Sequence, residues 1–168
     1  QLEAMGLVAM RTHKGAVVTT IPTEEVQELF ELRASLECDI LARSIALMVD
    51  QDIIDARVIL GRLEASYEQQ DMANWGRLNW EFHQRLYLPS RRVQTLMILQ
   101  GINLQTERYI RLHLVVTHGL ETAQNEHREL LRLCALRLSD EAVAYLREHI
   151  LVTAKALVAG LRHIRADH

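Results

Sequence analysis

The sequence predicts an all-α protein, an antiparallel bundle of about six helices that follows a short β-hairpin. Of the 168 residues, 49% are apolar but only 5% are aromatic, so aliphatic side chains have to build the core. Two prolines and seven glycines leave few positions where a helix must end. Beyond Pro22, apolar residues recur at steps of three and four, as helices require. In the first helix this stripe is Val26, Leu29, Phe30, Leu36, Ile40, Leu41, Ile45 and Met48.

Changes in this periodicity give the individual helices. We predict helices at about 23–48, 51–70, 72–87, 90–117, 121–137 and 139–166, with ends uncertain by about two to four residues. Pro89 ends the third helix because it lacks a donor and restrains the residue before it. Short polar side chains suited to N-capping stand at the expected starts of four helices, namely Asp50, Asp71, Ser90 and Ser139.

Residues 1–21 differ from the rest and form a separate predicted unit. Two short β-rich runs flank a turn at Gly15, a pattern typical of a hairpin. A lone hairpin has no core of its own, so we interpret 1–21 as the end of another domain and 22–168 as the helical domain. The first residues lack the basic and apolar regions of a signal peptide, and we expect them to continue from a longer chain.

Charge and cysteine content narrow the function classes. A net charge of −3 argues against a chain that coats nucleic acid. No run of 18 apolar residues exists, so we expect no membrane partner. Cys38 and Cys134 lie far apart in apolar segments, which predicts buried free thiols and a cytoplasmic location.

Three histidines stand among apolar residues on different helices. Asn79 and His83 are four residues apart, one turn along one face of the third helix. His127 and His149 lie eleven residues before and eleven after Leu138, where a short turn joins the last two helices. Both therefore lie about 16 Å from that turn, at the same level of the bundle.

Such a set of imidazoles has two interpretations. It can bind a transition metal such as zinc or nickel, or its members can be hydrogen-bonded core histidines, which single helical histidines more often are. Arg33 also has two interpretations. Its guanidinium can bind a carboxylate ligand, or it can form an internal salt bridge to Glu37 one turn away. Arg111 and His113 are further candidates for lining a cavity. The remaining histidines of the helical part, His118, His163 and His168, we expect to be solvated.

Several motifs, in this order and spacing, resemble the FCD domain, the ligand-binding domain of FadR-type GntR transcription regulators. They are Glu31-Leu32-Arg33-Ala34-Ser35-Leu36-Glu37, Asn79-Trp80-Glu81-Phe82-His83, Glu126-His127-Arg128-Glu129-Leu130 and Leu146-Arg147-Glu148-His149-Ile150. The resemblance covers 23 to about 165. Residues 1–21 resemble the end of the recognition helix and the wing of that family's winged helix-turn-helix, where Arg11, His13 and Lys14 would contact DNA phosphates.

This resemblance implies a helical bundle around a cavity with a divalent metal, zinc or nickel, held by an Asp or Asn and three histidines. The matching positions are Asn79, His83, His127 and His149. Asn79 departs from the more frequent Asp and brings no charge, which leaves the site more cationic. The resemblance also implies a small carboxylate effector beside the metal, a homodimer, and operator binding only through the full-length winged helix domain.

The sequence thus predicts the effector-sensing domain of a bacterial transcription regulator rather than an enzyme. Two alternatives stay open. One is a metal-independent small-acid sensor, since the acyl-CoA-binding branch of the family shows that metal is not obligatory. The other is a metalloenzyme, because histidine ligands with an open coordination position also occur in hydrolases and oxygenases. We expect no sequence-specific DNA binding by these 168 residues alone.

Overall fold

Six helices form one bundle in the computed structural model, which describes residues 8–11, 15–18, 22–117 and 119–166. A single-turn 3-10 helix, Leu88–Ser90, separates the third helix from the fourth. The helices are α1 (Thr23–Ile45), α2 (Asp50–Glu68), α3 (Met72–Tyr87), α4 (Val93–Thr117), α5 (Leu120–Ala135) and α6 (Ser139–Ala166).

Two four-residue strands precede the bundle. β1 (Val8–Arg11) pairs antiparallel with β2 (Gly15–Val18), in a register that places Val8 opposite Val18 and Arg11 opposite Gly15. Arg11 is thus the last residue of β1, while His13 and Lys14 lie outside the described residues. The assignment of these strands to a wing stays a prediction.

A single apolar core joins the helices. α1 packs against α3, α4 and α6, while α2 packs against α3 and α5. α5 and α6 also contact each other, as their short connection requires. Each helix contributes large, almost fully buried side chains to this core, among them Phe30, Leu63, Phe82, Leu99, Leu130 and Leu146. The predicted stripe of α1 lies mostly in this core, with Leu29 and Leu36 at its edge.

Left-handed residues end α2 and α5 where the sequence has no glycine. Gln70 has φ 55°, and the amides of Gln70 and Asp71 bond back to the carbonyls of Tyr67 and Ser66. Arg137 has φ 59°, and the amides of Arg137 and Leu138 bond in the same way to the carbonyls of Cys134 and Leu133. Both are Schellman motifs, which satisfy carbonyls that the helix end leaves free. The turn at 136–138 then returns α6 alongside α5.

Two helix boundaries differ from the predicted positions by three residues, within the uncertainty of the prediction. α4 begins at Val93 rather than at 90, because Pro89 lies in the 3-10 helix and Arg91 adopts a left-handed conformation with φ 57°. Ser90 therefore caps no α-helix, and its hydroxyl donates to the carbonyl of Tyr87. α1 ends at Ile45 rather than at 48.

The predicted caps of α2, α3 and α6 also differ in detail. Asp50 and Ser139 are the first residues of their helices rather than the residues before them. At the start of α2 the Asp52 carboxylate instead accepts from the Val49 amide at 2.8 Å. Asp71 does precede α3, but its carboxylate accepts from the side chain of Asn74 rather than from the backbone.

The expectations for cysteines and membrane spans fit the described part of the chain. Cys38 and Cys134 are buried and free, and burial raises the pKa of the Cys134 thiol to about 12. Among the described helices, none is long and apolar enough to span a membrane.

Candidate metal centre and effector cavity

Three histidine side chains from three helices meet inside the bundle. His83 comes from α3, His127 from α5 and His149 from α6. The centroid of the His127 ring lies 5.2 Å from that of His83 and 5.4 Å from that of His149, and the His83 and His149 rings stack at 5.9 Å. One nitrogen of each residue lies within 4.8 Å of the others. The three imidazoles therefore surround one small volume.

Local structure explains why these residues meet. The Schellman turn between α5 and α6 makes the two helices antiparallel, so the equal distance of His127 and His149 from Leu138 places them side by side. On α3, the ring of Phe82 packs edge-on against His83 at 5.4 Å and against His127 at 5.2 Å. This aromatic contact holds α3 and α5 together beside the imidazoles.

Two of the histidines have a hydrogen-bond partner on one ring nitrogen. His149 Nδ1 lies 2.7 Å from Glu126 Oε2, and His83 Nδ1 lies 3.3 Å from the Tyr87 hydroxyl. The carboxylate of Glu126 can only accept, so His149 Nδ1 carries the proton and its Nε2 keeps a lone pair. A carboxylate behind a histidine is the usual support of a metal-binding imidazole.

Three of the four remaining ring nitrogens are buried without a partner among the described residues. His83 Nε2 and both nitrogens of His127 have no hydrogen bond to the part of the chain that the structure describes. Buried polar atoms normally have a partner, because leaving one unpaired costs roughly 1–3 kcal/mol. These atoms therefore indicate a ligand.

Burial keeps two of the imidazoles neutral. It lowers the pKa of His127 to about 3, with a further contribution from the nearby His149. Burial also lowers the pKa of His83 well below its ordinary value, and the charges of His127, His149 and Arg33 act in the same direction. Neutral imidazole is the form that binds metal, so His83 and His127 can bind an ion at neutral pH without loss of a proton.

The spacing of the three nitrogens suits a single ion. Two ligands bound to zinc at about 2.0–2.1 Å lie at most roughly 4 Å apart. Since no pair in the set exceeds 4.8 Å, shifts of less than about 1 Å draw all three onto one ion. Three imidazole donors at this spacing fit a divalent transition metal.

A cavity of about 320 Å³ opens beside the histidines. His127 and His149 form part of its wall, while His83 lies fully buried behind them. Asn79, one turn before His83 on α3, also faces this cavity and is half-buried. Apolar groups make up most of the described wall, namely Phe30, Tyr67, Ile110, Ala123, Ile150, Val152 and Ala156.

Arg33 combines the two roles that the sequence left open. Its Nε donates to Glu37 Oε1 at 2.7 Å, in an ion pair whose members are at most 5% exposed. Arg33 also lines the cavity, and its guanidinium lies 5.0 Å from the ring centroid of Phe30. The two terminal nitrogens of Arg33 have no hydrogen bond to the described residues, which leaves them available to a ligand.

Sequence reasoning did not identify the partners of the histidines. It noted Glu126 only for its place in sequence, and it did not consider Tyr87, whose i,i+4 spacing from His83 was the available signal. Arg111 and His113 belong to α4, but their side chains lie outside the described residues. Their proposed place in the cavity stays a prediction.

Comparison with known proteins assigns the family. The sequence matches the FCD domain over residues 28–151. A GntR family transcriptional regulator from Pseudomonas syringae pv. tomato str. DC3000 is 31% identical, with a TM-score of 0.71 over 96% of this chain and 68% of that one. The chain belongs to the GntR family and contains an FCD domain.

Two further relatives are consistent with this assignment. The HTH-type transcriptional regulator BphR of Paraburkholderia xenovorans (strain LB400) is 27% identical over 89% of this chain. The chain spans 63% of the length of BphR. McbR/YncC of E. coli is 15% identical, with a TM-score of 0.79 over 95% of this chain and 80% of its own, which shows a shared fold. The relatives that carry a functional description are thus transcriptional regulators.

We predict that the metal-free FCD domain loses stability in acid. An unfolded chain protonates His127 near its ordinary pKa of 6.5, whereas the folded domain resists protonation down to about 3. Acid therefore favours the unfolded state between these values, and His127 alone accounts for a loss of about 2 kcal/mol at pH 5. Urea unfolding in EDTA at pH 7.5 and pH 5 measures this difference.

The matched control is His127→Phe, which removes the titrating group and keeps an aromatic ring. This variant should lose about 2 kcal/mol less than the wild type over the same pH interval. Equal losses in the two proteins would show that His127 titrates normally in the folded state.

Proposed function

We propose that this chain is the effector-sensing domain of a DNA-binding transcription regulator. In this proposal a divalent metal, zinc or nickel, is bound by His83, His127 and His149, with the Asn79 carbonyl oxygen as a fourth ligand. A small carboxylate binds in the adjoining cavity, and Arg33 forms its second contact. The domain has no catalytic role of its own.

One observation carries this proposal: two buried imidazoles and a half-buried one converge, while three nitrogens of His83 and His127 lack a described partner. Had the histidines been ordinary core residues, the fold would have satisfied these nitrogens through neighbouring polar groups, as it does for Ser44 and Ser66. A metal ion bound between the rings would satisfy Nε2 of His83 and one nitrogen of His127 at once. It also supplies the positive charge that attracts an anion.

The wall of the cavity supports a carboxylate with an apolar body. The guanidinium of Arg33 lines the cavity, and its planar arrangement of donors matches a carboxylate. Asn79 brings no charge, so as a ligand it does not reduce the attraction of the metal for an anion. The rings of Phe30 and Tyr67 and the aliphatic wall of α6 would contact the apolar remainder of the effector.

An apolar stripe on α4 supports the proposed homodimer. Val93, Met97 and Leu104 lie at helical spacing on one face and are exposed, and Gly101 between them has open space around it. Exposed apolar stripes of this kind mark protein–protein contacts. In the full-length protein the dimer would set the spacing of two winged helix heads on operator DNA, and the β1–β2 pair would belong to the wing.

We expect the purified domain to bind one zinc or nickel ion per chain. His127→Ala removes a ligand from the centre of the set and should weaken metal binding more than about 100-fold, since loss of a supporting partner alone costs 10–100-fold. His163→Ala, at a histidine that the sequence predicts to be solvated, should leave the stoichiometry at one. Elemental analysis after dialysis measures the bound metal, and unchanged metal content in His127→Ala would refute the site.

We expect the metal-loaded domain to distinguish a carboxylate from its amide. Benzoate carries an apolar ring and a charge, whereas benzamide has nearly the same shape without the charge. Charge-assisted hydrogen bonds contribute about 1.5–3 kcal/mol, so benzoate should bind at least about 10-fold more tightly. Calorimetric titration of both compounds, with lactate and lactamide as a smaller pair, measures the difference. Equal affinity of acid and amide in both pairs would contradict charge recognition.

We expect a charge in the α4 stripe to separate the dimer. Met97→Glu places a carboxylate in the centre of the proposed contact, where it would be desolvated without a partner. Val58 on α2 is as exposed as Met97, at 61%, so Val58→Glu is a matched control away from the stripe. Sedimentation equilibrium should give a monomer for Met97→Glu and a dimer for Val58→Glu. A dimer for both variants would place the contact elsewhere.

A further inference from the structure

A buried chain of polar groups links the cavity arginine to one of the histidines. Arg33 Nε donates to Glu37 Oε1 at 2.7 Å, and the Tyr87 hydroxyl donates to Glu37 Oε2 at 2.6 Å. The same hydroxyl oxygen lies 3.3 Å from His83 Nδ1. All four side chains are buried, and Glu37 and Tyr87 have no solvent exposure. Water is therefore not available to replace any of these contacts.

The count of protons fixes the direction of each hydrogen bond. A phenol has one hydrogen, and here the carboxylate of Glu37 accepts it, because a carboxylate has no proton to give. The oxygen of Tyr87 can then only accept from His83, so Nδ1 of His83 carries the proton. Its Nε2 keeps the lone pair, and Nε2 is the atom that has no described partner.

Without Glu37 the opposite arrangement would be favoured. A tyrosine hydroxyl with no other acceptor would donate to His83 Nδ1, and the ring proton would move to Nε2. A protonated Nε2 cannot bind a metal ion. The carboxylate on α1 thus decides which nitrogen of a histidine on α3 is free.

We propose that Glu37 and Tyr87 are positioning residues that hold His83 in the tautomer with a free Nε2. The same carboxylate fixes Arg33 at the cavity wall, so Glu37 orders both the metal side and the effector side of the site. This inference rests on the proposed function, because the tautomer matters to sensing only if a metal uses Nε2. The sequence motif that contains Arg33 and Glu37 then serves the metal site as well as the effector.

Two variants of nearly unchanged shape test the proposal. Tyr87→Phe removes the hydroxyl and leaves His83 Nδ1 without a partner. Glu37→Gln keeps the size of the side chain, but its amide group can donate to Tyr87 and so reverse the bond to His83. Ser66→Ala is the control, because it also removes a buried hydroxyl group and its hydrogen bond, which Ser66 donates to the carbonyl of Leu63, and Ser66 is not among the residues that line the cavity.

We expect the dissociation constant for zinc to rise about 10–100-fold in Tyr87→Phe and in Glu37→Gln, and to change less than about 2-fold in Ser66→Ala. Competition with a chromophoric chelator at pH 7.5 measures it, and circular dichroism checks that each variant is folded. Equal zinc affinity of the wild type, Tyr87→Phe and Glu37→Gln would overturn the positioning role.

A second measurement needs neither metal nor a variant of Tyr87 or Glu37. In the ¹⁵N-histidine spectrum of the metal-free wild type, the signals of His83 are those that disappear in His83→Gln. We expect them to show a protonated Nδ1 and an unprotonated Nε2. A proton on Nε2 would overturn the inference even if Tyr87→Phe or Glu37→Gln failed to fold. A wild type that binds neither zinc nor nickel would instead refute the proposed function, while the tautomer would still decide this inference.

Discussion

The Glu37 carboxylate, buried without solvent exposure in the bundle, is the group on which the arrangement of the site depends. A buried charge that loses its partner costs about 3–5 kcal/mol, so the fold has to keep Arg33 and Tyr87 in place around it. Arg33 is one turn away on α1, but Tyr87 ends α3, so the carboxylate also joins these two helices. The polar centre of the domain is thus specified by one carboxylate and its two donors.

The histidines differ from Glu37, because several of their polar atoms have no partner among the described residues. Neighbouring groups pair one nitrogen of His83 and one of His149, yet Nε2 of His83 and both nitrogens of His127 have no hydrogen bond to the described residues. A domain that only needed stability would place apolar side chains here, since unpaired buried polar atoms are destabilising. The structure therefore combines fully paired supporting groups with unpaired central atoms, as expected for a site built around a ligand.

Sequence periodicity predicted the six helices, and the turn near Leu138 predicted that His127 and His149 would meet. These features depend on contacts close along the chain. The 3-10 helix at Leu88–Ser90 and the left-handed residues Gln70 and Arg137 were not predicted, because no glycine marks them and their conformations depend on packing.

The supporting contacts were harder to predict than the histidines themselves. Tyr87 and Glu37 are 50 residues apart, and Glu126 and His149 are 23 apart, so only the packing of the helices brings them together. The resemblance to the FCD domain located the central residues but not the direction of the hydrogen bonds behind them. That direction followed only from the distances and the number of protons on each group.

Anomalous diffraction from crystals of the zinc-loaded domain, recorded on both sides of the zinc absorption edge, tests the central claim most directly. The account predicts one strong peak per chain, at about 2.0–2.1 Å from Nε2 of His83, Nε2 of His149 and one nitrogen of His127. A peak bound elsewhere on the chain, or no peak between these three rings, would contradict it.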